Sequence, residues 1–159
     1  MKAIGFRVEA SENQSALHWA VVEGTKDHPI YIGAATIKVP TTYDEALALP
    51  WFRNEVQRLI KVYSPDRAAL RTPETRQLNP RFANLYKRCR IEGVILETST
   101  SLGLEVEIGA SITIAANIES HRSLKEYLQD PDLRGLDWSK HKPNVREAIL
   151  AASSVLASE

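Results

Sequence analysis

The chain has 159 residues, 43% of them hydrophobic and 25% charged, with a formal net charge of zero. Those are the proportions of one globular domain with its own core, and they exclude a disordered or fibrous polypeptide. No apolar run approaches the roughly 20 residues that would span a bilayer, so no membrane role is expected.

The opening Met1-Lys2-Ala3-Ile4-Gly5-Phe6 lacks the pattern of a signal peptide. The single cysteine, Cys89, leaves no internal disulfide to form. A reducing cytoplasm is the expected location, with Cys89 in a plain packing role. Charge is unevenly spread: residues 51–90 carry 10 basic and 3 acidic side chains, while residues 1–50 carry 4 and 6 and residues 91–159 carry 6 and 11. A central cationic segment of this kind would attract phosphates or balance acidic neighbours.

Residues 3–9 alternate, with Ile4, Phe6 and Val8 on one face and Ala3, Gly5, Arg7 and Glu9 on the other, as in a half-buried strand. A polar turn over 11–15 leads to a returning strand, Leu17 to Val22. A third strand, Tyr31 to Val39, follows the Asp27-His28-Pro29 loop. After Pro50 the period changes, and Trp51, Phe52, Val56, Leu59, Ile60 and Tyr63 recur at helical spacing until Ser64-Pro65-Asp66.

Ala68-Ala69-Leu70 is a short strand between Arg67 and Arg71. A long helix follows Pro80, its buried stripe read as Phe82, Tyr86, Cys89, Gly93 and Leu96, with Gly93 expected to approach the sheet closely. A fifth strand covers 105–108. Ser111 is read as the cap of a short helix to Ile118, and 123–128 continue in helical character. Residues 130–142 read as a surface connection, before a last helix that starts at Pro143 and buries Val145, Ile149, Ala152 and Leu156.

The order β-β-β-α-β-α-β-α-α, together with the Gly-led first strand, the Arg90-Ile91-Glu92-Gly93-Val94-Ile95 helix, the Val106–Ile118 strand-to-helix step and the Ala-rich final helix, resembles the RNase H-like superfamily, in particular its RuvC-like, Holliday-junction-resolvase branch. The resemblance spans almost the whole chain. It implies a single α/β domain over 1–159, built on a five-stranded mixed sheet whose first three strands are antiparallel and which is flanked by helices.

Nucleases of this family use carboxylates to hold magnesium, a hard ion that prefers oxygen ligands. The family's first-strand acid falls here on Arg7 and its fourth-strand acid on Arg71. The acidic positions of its last helix fall on Asn144 and Glu147. An obligate cation at a ligand position repels a divalent ion. The resemblance therefore implies a degenerate site without a cofactor, in a binding scaffold for nucleic acid or for a protein. Arg7, Arg71, Arg76, Arg81, Lys87 and Arg88 are its candidate nucleic-acid contacts. The alternative is an active Mg2+-dependent nuclease with relocated carboxylates Glu9, Glu74 and Glu147. A homodimer through the long helix near Tyr86 is a further expectation.

His18, His28, His121 and His141 show no metal-ligand spacing, and neither a nucleophile elbow, a dinucleotide fingerprint nor a P-loop is present. Trp19 and Trp51 fit apolar patterns. Trp138 lies on the connection, as an anchor of that loop or a stacking surface.

Overall fold

The alternation read in residues 3–9 becomes strand β1 (Lys2–Glu9), whose two faces serve two different cores. The computed structural model describes residues 1–74 and 82–158. β1 pairs antiparallel with β2 (Ala16–Gly24), and β2 with β3 (Pro29–Lys38). Strand β4 (Arg67–Arg71) lies parallel to β1 on its other side, and β5 (Glu105–Gly109) lies parallel to β4. The five-stranded mixed sheet thus runs β3-β2-β1-β4-β5, as the resemblance implied.

One face, carrying Ile4, Phe6, Val8, Leu17 and Leu70, is covered by α1 (Glu45–Tyr63) and α2 (Phe82–Ser101). The other, carrying Ala3, Ala20 and Ala69, is covered by α5 (Pro143–Ser154), with α3 (Ser111–Ile118) and α4 (Leu124–Gln129) beside it. Small side chains on this second face let α5 lie against the sheet. Gly5 is the tightest point: a Cβ there would sit 2.1 Å from the Ala148 carbonyl oxygen and 2.5 Å from the Ala152 nitrogen.

Several local expectations are corrected. α1 starts before Pro50, at Glu45, because Asp44 caps it by accepting a 2.8 Å hydrogen bond from the Leu47 amide. In α2 the buried residues are Ile91, Glu92, Ile95, Thr98 and Ser99, whereas Phe82 and Tyr86 are 64% and 59% exposed and Cys89 is also at the surface. The helix has apolar residues on both sides, and its contact with α1 and the sheet chose the Ile91–Ile95 side. Gly93 faces open space, so the expected close approach belongs to Gly5 instead.

Ser111 is the first residue of α3 rather than its cap. The connection at 130–142 contains a two-residue hairpin, β6 (Asp132–Leu133) with β7 (Leu136–Asp137). Its turn residues, Arg134 and Gly135, both have positive φ, as a type I′ turn requires. Trp138 is fully buried there, and its indole N–H donates to the Asp130 carbonyl at 2.9 Å, so it pins the connection to the body.

Candidate functional site

Strand pairing places a polar row across the α5 face of the sheet. Arg71 lies opposite Arg7, Arg7 opposite His18, and His18 opposite Thr36. Directly paired residues project from the same face, so these four side chains form one line under the start of α5. Glu9, two residues beyond Arg7, shares that face. From above, α5 contributes Asn144 and Glu147, three residues apart and therefore on one side of the helix.

Glu147 is the hub of one half of the row. Its Oε2 lies 3.1 Å from Arg7 Nε and 2.9 Å from Arg71 Nε. Arg7 donates a hydrogen bond to this oxygen, whereas the Arg71 Nε–H is not aimed at it and the contact is purely electrostatic. Arg71 and Glu147 are each only 8% exposed. The Nη1 atom of each guanidinium donates to a backbone oxygen, Arg7 Nη1 to Val8 at 2.8 Å and Arg71 Nη1 to Thr72 at 2.5 Å.

Glu74 stands 3.5 Å from Arg71 Nη2 and accepts from both the backbone and the side chain of Ser111. Burial pushes the Glu74 carboxyl up, but the two Ser111 hydrogen bonds and the Arg71 charge leave it below its ordinary value. Behind them Arg88 pairs with the buried Glu92 at 2.6 Å and donates to the Arg71 carbonyl at 3.0 Å. Burial raises the Glu92 carboxyl, and Arg88 opposes that rise. Three arginines thus face three glutamates in one closed network.

The other half of the row is a relay of neutral and acidic groups. His18 Nε2 lies 2.7 Å from Glu9 Oε2, and His18 Nδ1 lies 2.7 Å from Thr36 Oγ1. A carboxylate only accepts, so Nε2 carries the proton and Nδ1 receives the Thr36 hydroxyl. Asn144 Nδ2 donates to the same Glu9 oxygen at 2.9 Å. Burial, the largest effect, holds the His18 imidazole below its ordinary value even though Glu9 draws it up. The hydrogen bond from His18 holds Glu9 below the usual carboxylate range.

The residues singled out from sequence therefore meet only in part. Arg7, Arg71, Arg88, Glu74 and Glu147 come together. Lys87 is spent elsewhere, donating to the Ser11 carbonyl at 3.1 Å. Arg76 and Arg81 lie outside the described residues. The Glu9 carboxylate is engaged by His18 and Asn144, whereas Glu74 and Glu147 both lie against Arg71. Much of the central cationic segment is neutralised: Arg58 pairs with Glu55, Arg67 with Glu105 and Arg90 with Glu45. His18, Thr36 and Glu92 were missed by sequence reasoning. The strand register that sets His18 beside Arg7 and Thr36 beside His18 was the signal for the first two, and the four-residue spacing from Arg88 was the signal for Glu92.

A magnesium ion would need several oxygens converging on open space. Here the central carboxylate faces two guanidinium groups instead, and no group of three or more His, Cys, Asp or Glu able to hold a metal occurs among the described residues. These residues do not fit a divalent ion.

No protein-family model matches the sequence, and neither does any curated protein. Solved structures do match. RuvC of Thermus thermophilus in complex with a Holliday junction substrate aligns at a TM-score of 0.73 with 14% identity, over 97% of this chain and 91% of that one. A second structure of the same Thermus thermophilus protein aligns at 0.71. The yeast mitochondrial Holliday junction resolvase Ydc2 aligns at 0.61 with 9% identity, over 96% of this chain and 76% of that one. The chain has the RuvC-like, RNase H-like fold.

Proposed function

We propose that this chain is a RuvC-like domain that binds nucleic acid without cleaving it by metal-dependent chemistry. The observation that carries the reading is Glu147 held between Arg7 and Arg71, with Arg71 also beside Glu74. A divalent ion about 4 Å from a fixed guanidinium would meet a repulsion of several kcal/mol at an effective dielectric near 20. Arginine does not shed its proton to relieve it. The nucleic-acid part of the reading is supported by the fold shared with a protein whose structure holds a Holliday junction substrate.

The test incubates the purified protein with branched, duplex and single-stranded DNA and RNA in magnesium and in manganese. Salt-sensitive binding without cleavage is the expected result. Cleavage that Glu9→Gln or Glu147→Gln abolishes would overturn it. A homodimer through the exposed Phe82 and Tyr86 of α2 belongs to the same proposal, and a monomer in light scattering at high concentration removes it.

A further inference from the structure

The guanidinium groups at the centre of the site are already paired, so an incoming phosphate needs cations elsewhere. Beside the His18 relay lies an open cleft of about 670 Å3, walled by β3 on one side and by the segment entering α5 on the other. That volume is within the rough 300–1,000 Å3 range of ligand sites. Lys38, Lys140 and Lys142 line it, and none of the three forms an ion pair among the described residues. Its floor is the Glu9–His18–Thr36 chain, in which the one carboxylate is engaged by His18 and Asn144.

An aromatic pair continues the wall. His141 lines the cleft, and its ring lies 5.4 Å from that of Tyr31, tilted by 33°. Tyr31 is 40% exposed on the edge strand β3, leaving ring surface open to solvent. Unpaired cations beside an exposed aromatic surface are the elements that grip unpaired nucleotides, with phosphates on the lysines and a base on the ring. A duplex keeps its bases stacked inside and offers the ring nothing.

We infer that this cleft binds a single-stranded segment of nucleic acid, through phosphate contacts to Lys38, Lys140 and Lys142 and base stacking on Tyr31. The inference rests on the nucleic-acid reading above and moves its phosphate contacts from the arginines to these lysines.

Fluorescence anisotropy with labelled dT15, rU15 and a 15-base-pair duplex tests it, on the full chain. The triple variant Lys38→Gln/Lys140→Gln/Lys142→Gln changes only exposed side chains, and circular dichroism checks that it folds. It should bind the single strands at least tenfold more weakly, with a log–log salt slope shallower by about 2, from about 0.7 per phosphate contact. Tyr31→Ala should weaken them about fivefold or more. Nucleic-acid binding that the triple variant retains in full overturns the cleft assignment and leaves the broader reading standing. Binding to none of the three probes by the unaltered protein overturns both.

Discussion

Arg7 and Arg71 stand opposite each other in the parallel β1–β4 pair and share a single carboxylate, that of Glu147. Two like charges on adjacent strands repel, so the arrangement depends on the anion lowered between them by α5. Glu147→Gln removes that anion and leaves both guanidiniums without it. The expected loss of stability is about 3–5 kcal/mol, the usual consequence of breaking a buried pair from one side. Urea denaturation measures it. Replacing all three together, Arg7→Met/Arg71→Met/Glu147→Leu, should cost far less, since the hub then strands no charge of its own and Glu74, partly exposed, keeps its two Ser111 hydrogen bonds. A single variant as stable as the parent would show that the hub contributes nothing.

Gly5 sets how closely α5 approaches the sheet. Any Cβ at that position collides with the Ala148 carbonyl, an atom of the helix backbone that does not rotate away. Gly5→Ala should therefore destabilise by about 1–3 kcal/mol or more, as overpacking of a core does. It should also displace the helix that carries Asn144 and Glu147. Thermal melting reads the first effect, and increased amide exchange in 143–150 reads the second.

If the arginines are what bars a divalent ion, returning carboxylates should admit one. Arg7→Asp/Arg71→Glu would place new acidic oxygens beside Glu147. Manganese at millimolar concentration should raise the melting temperature of this double variant by several degrees and leave the unaltered protein unmoved, since a ligand that binds only the folded state stabilises it. Equal shifts in both proteins would mean that the arginines do not decide metal affinity.

The His18 relay gives stability a defined pH dependence. Burial keeps the folded imidazole below its ordinary value of 6.5, so in acid the unfolded chain takes up a proton that the folded chain refuses. His18 stability is therefore complete above about pH 6.5 and is lost as the pH falls beneath it. Glu9, with its folded carboxyl below 4.5, adds a loss of the same sign at lower pH. Glu92 runs the other way: its carboxyl is raised, so its contribution is present below 4.5 and fades as the pH climbs through the folded value. Comparing the protein with His18→Gln cancels the Glu92 part. The variant should show a flatter fall in urea midpoint from pH 7 to pH 5, and parallel curves would count against the relay.

Much of this molecule was legible before any coordinates. Alternation in 3–9 put Arg7 and Glu9 on one face and Phe6 on the other, because successive strand residues point to opposite sides of the chain. The order of strands and helices was likewise readable. So was the pairing of Asn144 with Glu147 on one side of the last helix, since helical geometry fixes residues three apart.

What only the tertiary structure decided was which charge meets which. Arg7 and Glu147 are 140 residues apart, and nothing in their neighbours announces the contact. It exists because Gly5 lets α5 settle where Glu147 reaches between two strands. The buried side of α2 was equally undetermined, since Phe82 and Tyr86 offered one apolar side and Ile91 and Ile95 another. Local periodicity follows from the geometry of the chain itself, whereas the choice of partner follows from how separate elements pack, and only the folded structure carries that information.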